Sequence, residues 1–220
     1  PTESAWATGQ VWMAHAALTS IDDGRHHHDE RLARGALGLA GQERDPFRVW
    51  VEDWSLSGEP GGAFPWTLRV AADAFAYELT LEPLRDPVLQ GDQGLSQKSA
   101  DPGNASYYYS ITRLATRGTL TQGSDTVPVT GLSWLDREWS TSALGETQTG
   151  WDWFSLQLDD GEDLMLYRLR DRDGDTDPHS AGSVLMPDGR KLAIAADGFE
   201  LEARRWWTSD SGMRYPVAWR

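Results

Sequence analysis

Trp134-Leu135-Asp136-Arg137-Glu138-Trp139, followed twelve residues later by Trp151-Asp152-Trp153-Phe154, is the stretch on which the fold reading turns. Neither run has helical apolar spacing. Both alternate aromatic with charged residues, the period-two pattern of a strand whose neighbours point to opposite faces. If extended, Trp134, Asp136 and Glu138 share one face, and Leu135, Arg137 and Trp139 the other. Trp151 and Trp153 likewise share a face that Asp152 opposes. Tryptophan supplies 12 of 220 residues, concentrated with Tyr and Phe in such runs, which predicts aromatic-rich sheets.

The same alternation recurs on both sides. Gln10 to Ser20 reads as a two-sided buried strand with His15 in its middle, and Phe47 to Asp53-Trp54 as another. Trp66 to Val70 and Phe75 to Leu81 read as a hairpin. Tyr107 to Arg113 continues to Thr121 after a bend near Gly118, and Val127 to Gly131 leads into the central stretch. Asp159-Asp160-Gly161-Glu162 and Pro187-Asp188-Gly189 mark hairpin turns, and Phe199-Leu201-Ala203 opens a last strand ending at Trp206-Trp207. His26-His27-His28 is expected in a loop, and three consecutive histidines cannot face one metal. One short helix is expected near residues 29–40, capped by Asp29, with Leu32, Ala36, Leu39 and Ala40 at helical spacing. Gly35 and Gly38 weaken it. The polar residues 85–104, including Pro87 and Pro102, predict a functional loop or an opening. About ten to twelve strands at regular spacing make an all-β protein of the barrel or sandwich kind.

Composition excludes several functions. There is no cysteine, hence no thiolate chemistry or cysteine-type metal site. A net charge of −14 disfavours nucleic acid and anionic membranes as partners. No run approaches the roughly 18 apolar residues of a membrane span, and the first residues do not read as a basic-then-apolar leader; Pro1 would suit a trimmed end, as expected of a mature exported form. P-loop, dinucleotide-binding, nucleophile-elbow and zincin signatures are absent. The acidic run Asp171–Asp177 lacks the late glutamate of a calcium loop. No metal and no cofactor is expected.

The chemistry is expected in the central stretch. Asp136 and Glu138 at i and i+2 lie roughly 6.5–7 Å apart along the backbone. Two carboxylates that close can divide into an acid and a base. The plain alternative is that both sit in a structural ion-pair network with arginines. Arg137, among apolar neighbours, needs a partner such as Asp53, Asp152 or a ligand anion. Trp151 and Trp153 either wall an apolar pocket or pack in the core.

Several runs resemble a known family. They are Val11-Trp12-Met13-Ala14-His15-Ala16-Ala17-Leu18, Glu30 to Gly41, Phe47-Arg48-Val49-Trp50-Val51-Glu52-Asp53-Trp54, Gly131 to Ser140 and Gly150 to Leu158, all in the family's order. The family is the lipocalin-like AttH/CrtC superfamily of secreted hydrolase-like proteins, which includes carotenoid 1,2-hydratases. The resemblance implies lipocalin-like antiparallel β-barrels or sandwiches in two domains, expected here at residues 1–130 and 131–220 and truncated at both ends. It also implies a secreted or periplasmic, sometimes lipid-anchored, setting. Members carry extra strands before the Met-Ala-His segment and after the segment matching Arg214 to Trp219. The hydratase branch has His-x-Trp where this chain has Arg137-Glu138-Trp139, and Tyr-x-Asp where it has Tyr167-Arg168-Leu169. Trp139 and Tyr167 match; the His and the Asp do not.

The reading that results is a pocket for a hydrophobic small molecule, with Asp136, Arg137, Glu138 and His15 as catalytic candidates. Trp139, Trp151, Trp153, Tyr167, Asp53 and Trp54 are the ligand-binding candidates. A hydrolase-like acid–base enzyme, a non-catalytic or transporter-associated binder, and a hydratase or cyclase acting on a polyene or polyketide are the competing functions.

Overall fold

The computed structural model describes residues 4, 6–101, 103–141 and 144–220, and among the described residues seventeen strands follow one another. Pro1 and Pro102 lie outside the described residues. The strands are β1 Val11–Thr19, β2 His26–Arg34, β3 Ala40–Arg44, β4 Phe47–Val51, β5 Trp54–Ser57, β6 Trp66–Ala71 and β7 Phe75–Pro83. Next come β8 Val88–Leu89, β9 Leu95–Gln97, β10 Ala105–Gln122 and β11 Asp125–Trp139. The last are β12 Gln148–Gln157, β13 Asp163–Asp171, β14 Ala181–Leu185, β15 Lys191–Ala195, β16 Ala203–Thr208 and β17 Arg214–Trp219. The pairings that build the sheets are antiparallel. Among the described residues there is no α-helix, only short 3-10 turns at Pro60–Gly62 and Ala196–Gly198. No helix is long and apolar enough to cross a membrane. The protein is all-β, as the alternation predicts.

The chain forms two units. The first takes the residues up to Asp86 together with Arg113–Leu135; the second takes Pro87–Thr112 and Asp136–Arg220. The boundary expected at 130/131 falls inside β11.

In the first unit β3 to β7 pair in sequence order, and β7 then pairs with the later part of β10. That pairing runs unbroken from Leu114↔Pro83 to Gln122↔Phe75, through the site of the expected bend. A β-carbon on Gly118 would stand 1.9 Å from the Glu78 carbonyl oxygen, so only glycine lets the strands approach this closely there. Ala16, Trp54, Val70 and Phe75 form one buried cluster, and Ala33, Ala40 and Val51 another.

The helix expected near residues 29–40 is instead β2, a turn and the start of β3. All nine residues of β2, the three histidines included, pair with β1 from Val11↔Arg34 to Thr19↔His26. The inward face of β2 is His27, Asp29, Arg31 and Ala33, while Leu32, the apolar residue of the helical pattern, is exposed. Arg31 is held there by Asp29 at 2.9 Å and lies over the Trp54 ring. Ion pairing hides this strand from a reading based on hydrophobic periodicity. The run from Phe47 to Trp54 is likewise a hairpin, with Glu52 and Asp53 as its two-residue turn and Glu52 at a φ of 55°.

In the second unit β12 to β15 form a four-stranded sheet in sequence order. β8 and β9 add to the start of β10. Within the polar segment expected to be a functional loop or an opening, Val88–Leu89 and Leu95–Gln97 pair with β10, and Gln90 and Ser96 are buried. The expected last strand begins only at Ala203, and β17 follows as its hairpin partner.

Candidate functional site

Strand parity builds the site. On β10, Ser106, Tyr108 and Ser110 point to one side, and the even-numbered Asp136 and Glu138 of β11 meet them. Ser110 and Tyr108 donate to Asp136 Oδ1 at 2.6 and 3.0 Å, and Ser106 donates to Glu138. The two carboxylates do share a face, as their spacing predicts. Behind Asp136 lies a buried chain: Ser183 donates to Gln90 Oε1 at 2.7 Å, and Gln90 Nε2 donates to Ser110 Oγ at 3.0 Å. Burial of Tyr108, reinforced by the Asp136 charge beside it, pushes the phenol's pKa well above its ordinary value, so Tyr108 keeps its proton.

Glu138 sits at the edge of an open cavity of about 210 Å³ lined by Lys98, Ser106, Tyr108, Ser140 and Leu144 and by Trp151, Trp153, Tyr167 and Leu169. Trp151 and Trp153 project from the face of β12 opposite Asp152, and Trp153 Nε1 donates to the Tyr108 hydroxyl at 3.3 Å. Lys98 Nζ lies 3.0 Å from Glu138 Oε1, 3.0 Å from Ser96 Oγ and 4.2 Å above the Tyr167 ring. The cavity thus joins aromatic walls to one carboxylate, one ammonium and two phenols.

Asp152 faces the other way and is buried. Arg168 bonds it through Nε at 3.1 Å and Nη2 at 2.6 Å, and Arg170 bonds its second oxygen. This pairing anchors the strand that presents the tryptophans. Arg137 therefore does not take Asp152 as partner; it is exposed on the other face of β11. Trp139 shares that other face, half exposed, stacked on Tyr107 at 5.6 Å and edge-on to Tyr109, so it does not wall the cavity.

His15, Asp53 and Trp54 belong to the first unit, whereas the cavity is built from the second. His15 is exposed rather than buried, because the outer face of the β1–β2 hairpin carries Val11, Met13 and His15; its Nδ1 is 3.9 Å from Glu30. Trp54 is a core residue whose Nε1 donates to the Ala71 carbonyl at 2.8 Å. Asp53 borders a shallow cavity with Arg69 and Tyr77. Among the described residues no three histidine or carboxylate side chains gather to hold a metal ion.

The family match covers residues 1–220. The chain belongs to the AttH-like family. A crystal structure of a candidate AttH from Nitrosomonas europaea is similar to this AttH-like chain at 32% identity and a TM-score of 0.87, over 99% of this chain and 67% of that one. Kievitone hydratase from Nectria haematococca matches at a TM-score of 0.72 and 16% identity, a likeness of fold, over 94% of this chain and 62% of that one. The AttH-like chain thus spans about two thirds of each. No curated protein matches it in sequence.

Proposed function

We propose that the second unit binds an apolar, largely planar small molecule in its aromatic cavity and that Glu138 exchanges a proton with it. The observation that carries this reading is a carboxylate, fixed by Lys98 and Ser106, at the edge of a cavity walled by Trp151, Trp153, Tyr108 and Tyr167. Aromatic walls gain from stacking a flat ligand and exclude water, which strengthens acid–base chemistry at the one polar edge. Asp136 is the inner carboxylate: Tyr108 and Ser110 donate to it, and it reaches the cavity through the Tyr108 hydroxyl. A lyase or hydratase type of reaction fits a site with a proton donor and acceptor and no nucleophilic thiol.

A second reading is binding without catalysis. Its support is the Lys98–Glu138 ion pair, which neutralises the carboxylate and can serve as a brace. One experiment separates the two. Ligand extracted from protein purified from its host, with kievitone as an independent probe, is assayed for turnover by mass spectrometry and for affinity by tryptophan quenching. In the enzymatic reading Glu138→Gln lowers turnover by about 10²–10⁴-fold and leaves affinity near its starting value. Equal loss of binding and folding would make Glu138 a brace. An exported setting belongs to the same proposal, supported by the resemblance stated above, and fractionation of host cells tests it.

A further inference from the structure

Of the 20 basic residues in the chain, 18 are arginine and only Lys98 and Lys191 are lysine. The two lysines do different things. Lys191 spends its donors on backbone, reaching the carbonyls of Leu89 at 2.6 Å and Gly91 at 3.1 Å. Lys98 instead stands at the aromatic cavity, with its side chain 19% exposed and its Nζ 3.0 Å from Glu138. For a plain ion pair arginine is the better residue, because its planar fork bonds a carboxylate bidentately and never gives up its charge. What lysine adds is an amine that can lose a proton and become a nucleophile.

We propose that Lys98 condenses with the carbonyl group of an aromatic aldehyde or ketone bound in this cavity, forming an imine. The Lys98 ammonium passes a proton to the Glu138 carboxylate, and the freed lone pair of Nζ forms a bond to the carbonyl carbon as the C–O π bond breaks. A proton moves from nitrogen to oxygen, giving a carbinolamine. Glu138 returns its proton to that hydroxyl, the C–O bond breaks, and water leaves. Overall, two ammonium protons and the carbonyl oxygen depart as water, and the single positive charge remains on nitrogen. That charge occupies the place the ammonium holds now, over the Tyr167 ring and beside Glu138, so the contacts that favour the ammonium also favour the protonated imine. With an aryl alkyl ketone the imine draws electrons from the adjacent alkyl carbon, which makes a proton there removable by a carboxylate; an aryl aldehyde has no such proton and reports imine formation alone. The inference rests on the acid–base reading of this cavity and names its substrate class.

Reductive trapping tests it. The full chain is incubated with benzaldehyde and sodium cyanoborohydride in the presence of Nα-acetyl-lysine, and adducts are located by peptide mass mapping. The expected result is one benzyl group on Lys98, installed at least about tenfold faster than on free Nα-acetyl-lysine, as a positioned amine requires. Lys98→Met loses the adduct, and Glu138→Gln slows it about tenfold. Circular dichroism confirms that each variant is folded, and Glu138→Gln with Lys98 intact serves as the second variant should Lys98→Met fail to fold. Labelling of Lys98 no faster than that of the free amino acid would overturn the proposal. Tryptophan quenching by benzaldehyde, without trapping, sinks the imine alone. The acid–base reading stands or falls separately, on the turnover of Glu138→Gln.

Discussion

Removing the Asp152 carboxylate is the perturbation whose size the structure fixes best. The side chain is 7% exposed and holds two guanidinium groups, those of Arg168 at 15% and Arg170 at 33% exposure. Asp152→Ala leaves both cations facing each other without a counter-charge, and breaking a buried pair in this way costs about 3–5 kcal/mol. Two features move the expectation to the lower end. Arg170 is a third exposed and can turn to water, and Arg168 keeps the Leu201 carbonyl at 3.1 Å and the Trp219 ring at 5.5 Å. A loss of about 3 kcal/mol is expected, or roughly 6–12 °C in Tm for a chain of this length. Urea titration followed by circular dichroism measures it, with a lower midpoint and an unchanged slope. Arg168→Met combined with Asp152→Leu should recover part of the loss, because it removes the more buried charge with its counter-charge and leaves only Arg170, a third exposed, to turn to water. A loss below about 1 kcal/mol for Asp152→Ala would place the network in the range of solvated surface pairs and refute its role as anchor of the tryptophan strand.

Gly118→Ala should destabilise the first unit by about 1–3 kcal/mol, because the added methyl meets the Glu78 carbonyl rather than a side chain that can swing away; thermal unfolding reads this directly. The Tyr108 phenol has a folded pKa raised above its ordinary 10.0. Its contribution to stability is therefore complete below that value and declines as pH rises beyond it, when the unfolded chain ionises first. Tyr108→Phe should flatten the alkaline limb of the stability–pH curve above pH 10.0, and an unchanged limb would contradict the burial of the phenol.

Strand parity was legible from residues alone, and it fixed much of the site. The shared face of Asp136 and Glu138, the shared face of Trp151 and Trp153, and the opposition of Asp152 all follow from a period of two. Parity also explains the misplaced Trp139, which the alternation itself sets on the face of Arg137. What sequence could not supply was the pairing partner. Ser106, Tyr108 and Ser110 enter the site because β10 neighbours β11, a long-range fact that a run of tyrosines does not announce. Lys98 lies just after β9 in a segment whose polarity marks it as a loop, although its buried Gln90 and Ser96 tie it down through hydrogen bonds. The rarity of lysine was the available signal. The missed strand β2 fails for a related reason: its inward face is built from paired charges, and no hydropathy pattern records a pair.

The division of β10 and β11 between units bears on how the chain is made. Synthesis delivers Pro87–Thr112 before any residue beyond Asp136 exists, yet these residues belong with β12 to β15. The first unit has its last strand once Leu135 emerges, while β8, β9 and the buried Gln90 must wait for Ser183. No single cut yields two intact halves, since severing the chain at any one bond leaves one unit without a segment. The cavity is accordingly completed only once Leu169 has been delivered, and Lys98 and Glu138, forty residues apart, meet only after the scaffold around them has been delivered out of order.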